Sequence, residues 1–121
     1  MSTKNEGAAS IQRFGMVTGI KPDKIDYYKE LHGNPWPDVK KKIKECNISN
    51  YSIYIKKIEN SYFLFSYFEY TGIDFAADMA KMAADPTTQK WWAVMEPMQQ
   101  PVENRQPGEW WASMEEVFHL D

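Results

Sequence analysis

A chain of 121 residues has the size of one ordinary domain, about 100–150 residues, and can bury a single core without staples. Its 14 basic and 17 acidic side chains leave a net charge of −3, which offers no electrostatic footprint for nucleic acid or for an anionic membrane surface. Cys46 stands alone and so excludes an intramolecular disulfide, no apolar run approaches the ~18 residues of a membrane span, and Met1–Ser10 lacks the apolar run of a secretory signal. The expected compartment is the cytoplasm, and the sequon-like Asn47-Ile48-Ser49 reads as chance. Five Trp and seven Tyr in so short a chain exceed what a small core needs, so some are expected to line a pocket or surface.

Residues 1–11 are polar and small and are expected to form a flexible leader, with one domain over 12–121. From Arg13 to Ile20, Phe14, Met16 and Thr18 alternate with Gly15, Val17 and Gly19, the period-2 pattern of a strand with room beside its glycine face. Lys21-Pro22-Asp23 ends it and starts a helix, with Asp23 as the expected cap and Ile25, Tyr28 and His32 at i, i+3 and i+7 on one face. Gly33 closes that helix, and Asn34-Pro35-Trp36-Pro37 forces an extended turn because residues before proline avoid the helical region. A second helix is expected over Pro37–Cys46, apolar at Val39, Ile43 and Cys46, with Lys40, Lys41, Lys42 and Lys44 in water.

Two strands follow, Tyr51–Lys57 and Tyr62–Tyr70, joined by a hairpin-length connection. Tyr51, Ile53 and Ile55 share one face of the first. The second is apolar on both faces and is expected to be covered on both. Helices are expected after Thr71-Gly72 and again after Asp85-Pro86-Thr87, the latter carrying Trp91, Trp92 and Met95, then a loop over Gln99–Glu109 and a last strand around Met114–Leu120. This order is the split βαβ plan of ferredoxin-like α+β domains: an antiparallel sheet with helices on one face. Its bare face calls for a cover, and a homodimer that stacks two sheets as a dimeric α+β barrel is one solution.

No HExxH, CxxC, glycine-rich phosphate loop or nucleophile elbow occurs, so neither a metal nor a cofactor is expected. Proton transfer remains, and an imidazole is suited to it because its ordinary pKa lies near neutrality. A histidine at a helix end is more often a packed residue than a catalyst, so His32 carries weight only with its surroundings. Tyr28 lies one turn away, able to position it or to bond a ligand. Of the adjacent Trp91 and Trp92, pointing about 100° apart on a helix, one can pack in the core while the other walls a pocket. Tyr51 offers a phenol near a sheet edge, Trp110-Trp111 reads as a packing or interface pair, and His119 as structural.

Tyr28-x3-His32 with Trp36-Pro37, then Asn50-Tyr51-Ser52-Ile53-Tyr54, Trp91-Trp92 and Glu116-Val117-Phe118, in that order and spacing, resemble the L-rhamnose mutarotases over Ile11–Asp121. The resemblance implies a ferredoxin-like homodimer that interconverts the α and β anomers of a monosaccharide without metal or cofactor. It implies His32 as catalytic proton donor and Tyr28, Tyr51, Trp91 and Trp92 as substrate-binding residues. The Asn34-Pro35 pair stands one residue further from His32 than in some relatives, and residues 99–111 are longer. This pattern is similar to a branch associated with other 6-deoxy-L-sugars, which admits L-fucose beside L-rhamnose. The rival is a sugar-binding module on the same scaffold, without catalysis; a cofactor-free oxygenase rests on fold analogy alone.

Overall fold

The structure, a computed structural model, describes residues 10–121. Most of the expected leader therefore lies outside the described residues. The elements run β1 (Gln12–Ile20), a 3₁₀ turn (Pro22–Lys24), α1 (Ile25–Gly33), α2 (Pro37–Glu45), β2 (Ile48–Ile58), β3 (Ser61–Tyr70), α3 (Phe75–Ala83) and α4 (Pro86–Met95). A second 3₁₀ turn (Glu96–Met98), β4 (Gln99–Gln100) and β5 (Ala112–Met114) complete the order. The antiparallel sheet runs β2-β3-β1-β4, with β5 sharing the free edge of β1 with β4. This is the α+β, split βαβ architecture anticipated from the pattern of elements.

Alternation decides which face each strand buries. Thr18 and Ile20 of β1 and Leu64 and Ser66 of β3 point toward the helices and are buried, and Ile20 and Leu64 form a core with Tyr28, Val39, Trp91, Met95 and Met98. A smaller cluster of Cys46, Ile48, Tyr70 and Met82 closes the far end under α3. The opposite face carries Val17, Phe63, Phe65 and Tyr67, which are only half-buried, and Tyr54, which is exposed. None of these five belongs to either core cluster. Among the described residues, cover on both faces of β3 is thus not supplied within one chain.

Two devices aim the sheet at the site. Ser49 pairs Glu69 and Ser52 pairs Tyr67, so Asn50 and Tyr51 together oppose one residue, a β-bulge. Asn50 takes the left-handed conformation (φ 48°) and donates from Nδ2 to Glu69 Oε1 at 2.7 Å. The extra residue lets Ile48 upstream and Tyr51 and Ile53 downstream all face the helices. The second device is Gly19, which pairs Gln100; a Cβ there would stand 2.5 Å from the Gln100 carbonyl oxygen, so only glycine admits β4 at this distance.

Several boundaries differ from expectation for local reasons. Asp23 lies in the 3₁₀ turn, and α1 begins with Lys24 as an N-cap that makes no side-chain bond. The capping carboxylates are instead Asp74, accepting from the Ala77 amide at 3.0 Å, and Asp85, accepting from the amide and hydroxyl of Thr88, each at 2.9 Å. The expected last strand, Met114–Leu120, is replaced by the short β5 at Ala112–Met114. In the Gly15–Met114 register Phe14, Arg13 and Gln12 of β1 stand opposite Glu115, Glu116 and Val117, but the backbone past Met114 leaves the ladder and side chains take over the contact. There Arg13 grips Glu116 through two parallel hydrogen bonds, Nε to Oε2 at 2.8 Å and Nη2 to Oε1 at 3.0 Å, while Val117, Phe118 and Leu120 stand exposed.

Because the Gly19 Cα abuts the β4 backbone, Gly19→Ala should destabilise the fold by about 1–3 kcal/mol, the usual range for overpacking. Urea unfolding checks this; an unchanged midpoint would show that β4 shifts without cost.

Candidate functional site

One cavity of about 790 Å³ opens between α1, α2, α4 and the inner face of the sheet. This lies within the usual size of ligand pockets, about 300–1,000 Å³, with room beyond a monosaccharide. All five residues singled out in the sequence line it: Tyr28, His32, Tyr51, Trp91 and Trp92. They come from α1, β2 and α4, elements distant in sequence that the sheet order brings together.

The centre is the pair one turn apart on α1. The His32 ring stacks on Tyr28, centroids 4.1 Å apart with planes at 24°, and meets Trp91 edge-on at 5.4 Å. Trp36 in turn packs edge-on against Trp91 at 5.0 Å, so the exit of α1 braces the wall behind the histidine. His32 Nδ1 lies 2.8 Å from the Tyr28 carbonyl oxygen. A carbonyl can only accept, so Nδ1 carries the hydrogen and the neutral ring keeps its lone pair at Nε2. Burial lowers the His32 pKa below its ordinary value, with the bond to the Tyr28 carbonyl opposing in part, so the neutral ring is the resting form at neutrality.

Tyr28 is buried, and desolvation raises its phenol pKa far above the usual value, held back in part by a hydrogen bond from Gln99. It is a hydrogen-bonding group, not a source of phenolate. Tyr51 packs edge-on against Phe68 at 5.6 Å. As a whole the residue is 45% exposed, but desolvation around its hydroxyl end raises the phenol pKa. The two tryptophans divide as their 100° separation allows: Trp91 is 7% exposed and belongs to the core, whereas Trp92 is 37% exposed at the edge of the cavity.

The structure adds residues that sequence patterns did not single out. Gln99 of β4 is buried and joins two walls: Trp110 Nε1 donates to Gln99 Oε1 at 2.7 Å, and Gln99 Nε2 donates to the Tyr28 hydroxyl at 3.3 Å. Trp110 and Trp111 line the cavity, so the segment after β4 forms part of the site. A buried amide in a polar loop carries no periodic signal; its only trace was the pairing of an indole with a nearby amide. Lys40 and Lys44 reach the cavity rim, and Lys42 is half-buried against Glu45 at 3.0 Å, so the lysine run is not uniformly a solvated face. His119 sits at the surface beside Asp121. Among the described residues no group of three or more His, Cys, Asp or Glu side chains converges as a metal site would, and no helix is long and apolar enough to cross a membrane.

A family model described as L-rhamnose mutarotase matches residues 13–120. Relatives named L-rhamnose mutarotase include that of Oceanobacillus iheyensis, 33% identical over 92% of this chain and 100% of its own length. That of Ligilactobacillus salivarius is 33% identical over 90% of this chain and 97% of its own. Among solved structures, the crystal structure of an L-rhamnose mutarotase from Formosa agariphila matches with a TM-score of 0.66 and 24% identity, covering 91% of this chain and 99% of that one, a likeness of fold.

The depressed His32 pKa links the site to stability. Below the ordinary imidazole value of 6.5, the unfolded chain binds a proton that the folded ring resists, so stability is full above that pH and falls as pH drops through it. Urea midpoints at stepped pH should show this loss in wild type and a flatter profile in His32→Phe; equal slopes would mean that His32 titrates alike in both states.

Proposed function

The chain belongs to the L-rhamnose mutarotase family, isomerases that act on the anomeric carbon, and we propose that it interconverts the α and β anomers of L-rhamnose or a related 6-deoxy-L-hexose, with His32 carrying the proton. The observation behind this assignment of His32 is its tautomer: a neutral imidazole with Nδ1–H committed to the Tyr28 carbonyl, on the wall of a cavity that can hold a monosaccharide. Anomerisation removes the hydrogen of the anomeric hydroxyl, breaks the bond from C1 to the ring oxygen, and delivers a proton to that oxygen. Both oxygens are bonded to C1, so one nitrogen reaches both. Nε2 takes the proton as C1=O forms, the imidazolium returns it to the ring oxygen, the open aldehyde turns about C1–C2, and the reverse steps close the other anomer. The lowered pKa keeps the resting ring in its base form for the first transfer and makes the imidazolium a readier acid for the second.

The walls suit a 6-deoxy sugar. Trp92 at the cavity edge, backed by the largely buried Trp91, supplies an indole against which the C–H face of a pyranose can stack, and Ile48, Phe68 and Met79 form an apolar wall that accommodates a methyl at C6 better than a hydroxymethyl. Such discrimination against a hydroxymethyl is modest, about 10–200-fold per missing or added group; L-fucose carries the same C6 methyl as L-rhamnose, so this wall does not separate the two and L-fucose is the alternative substrate.

Saturation-transfer NMR between the two anomers tests the reading. Wild type should accelerate exchange of L-rhamnose or L-fucose, and His32→Ala should lose about 10²–10⁴ of that acceleration. Undiminished exchange in the variant removes His32 from the mechanism. Ligand-induced stabilisation with no accelerated exchange in wild type supports instead a sugar-binding module.

We further propose that the protein works in the cytoplasm, in keeping with a buried, unpaired Cys46, as a homodimer that covers the outer sheet face. Val17, Phe63, Phe65, Tyr67 and Tyr54 supply a contiguous apolar surface there, with Phe63 and Phe65 rings 6.4 Å apart. Sedimentation equilibrium should return a dimer for wild type and a monomer for Phe65→Lys; a monomeric wild type leaves the face to another cover.

A further inference from the structure

Gln99 holds a position that its neighbours fix without ambiguity. An indole nitrogen can only donate, so the amide end facing Trp110 Nε1 at 2.7 Å must be the oxygen. The NH₂ end then faces the Tyr28 hydroxyl at 3.3 Å, and an amide nitrogen cannot accept. Tyr28 therefore spends a lone pair on Gln99 and has to send its own hydrogen elsewhere. No protein acceptor takes that hydrogen among the described residues, and the residue lines the cavity.

From this we infer that Gln99, oriented by Trp110, is a positioning residue that commits Tyr28 to donate its hydroxyl hydrogen to the ligand, and that the group it meets is the pyranose ring oxygen. The inference rests on the mutarotase reading. A ring oxygen carries no hydrogen and can only accept, whereas the anomeric hydroxyl on the same carbon carries one. The two stacked residues present the complementary pair: Nε2 of neutral His32 accepts, and Tyr28 donates. A hemiacetal carbon thus meets one acceptor and one donor side by side, so that the site distinguishes O1 from the ring oxygen by polarity. As the bond from C1 breaks, negative charge gathers on the ring oxygen, so the Tyr28 hydrogen bond strengthens where the barrier lies.

Gln99→Glu is the diagnostic substitution. A carboxylate can still accept from Trp110, but its other oxygen accepts too, drawing the Tyr28 hydrogen away from the cavity. Anomer exchange at saturating sugar should fall by about tenfold or more, the scale of one hydrogen bond to a developing charge. In a Tyr28→Phe background, where no hydroxyl remains to be turned, the same substitution should change exchange by less than about twofold. Trp110→Phe, which frees the amide to rotate, should shift exchange in the same direction in wild type and not in Tyr28→Phe. It decides the matter alone if Gln99→Glu does not fold by near-ultraviolet circular dichroism. Equal losses in both backgrounds, or no loss in either, would overturn the positioning role while leaving wild-type exchange intact. Absence of exchange in wild type overturns the mutarotase reading and this inference with it.

Discussion

The hydrogen bond from His32 Nδ1 to the Tyr28 carbonyl, 2.8 Å long and closed within one turn of α1, is the constraint on which the chemistry of the cavity depends. It needs nothing beyond helical geometry, since residues four apart lie one above the other on the same face. It selects one tautomer, stacks the imidazole on the phenol ring, and leaves Nε2 as the only basic atom of the ring. The same turn explains the depressed pKa: a ring stacked on Tyr28 and backed by Trp91 has lost water on two sides, and a single backbone bond offsets that loss only in part.

Everything else positions that pair against the rest of the cavity. The bulge at Asn50 turns Tyr51 inward, the Asp85 cap starts α4 at the right point for Trp91 to reach the core, and the close approach of Gly19 to Gln100 brings β4 near enough for Gln99 to touch Tyr28. Each is a local backbone feature that decides which side chain of the cavity wall reaches the site. The site is therefore a property of the sheet, although its reactive atom sits on a helix.

Element order, the hairpin and the shared face of Tyr28 and His32 were legible because each rests on periodicity or on proline and glycine punctuation, which act locally. The resemblance then tied Tyr51, Trp91 and Trp92 to the same place, and the structure gathers all five around one cavity. What remained hidden was non-local. The two-residue β4 has no room for a period, and β5 leaves the ladder at Met114 although β1 still runs three residues further. Gln99 became visible only when an indole eleven residues later closed back on it. Asp23 misled for a different reason: an acidic residue beside Pro22 has the sequence of a cap, but the chain makes a 3₁₀ turn first and leaves the carboxylate outside α1.

The placement of the tryptophans has a spectroscopic consequence. All five belong to one aromatic assembly: Trp91, Trp92, Trp110 and Trp111 line the cavity, and Trp36 rests on Trp91. No indole reports on the outer sheet face or the C-terminal tail, so the tryptophan emission of this protein, excited selectively at the red edge where tyrosine does not absorb, originates wholly at the cavity and its immediate support. A ligand that stacks on an indole or displaces water from it will alter that emission without any label, which makes the unmodified chain its own optical gauge of occupancy.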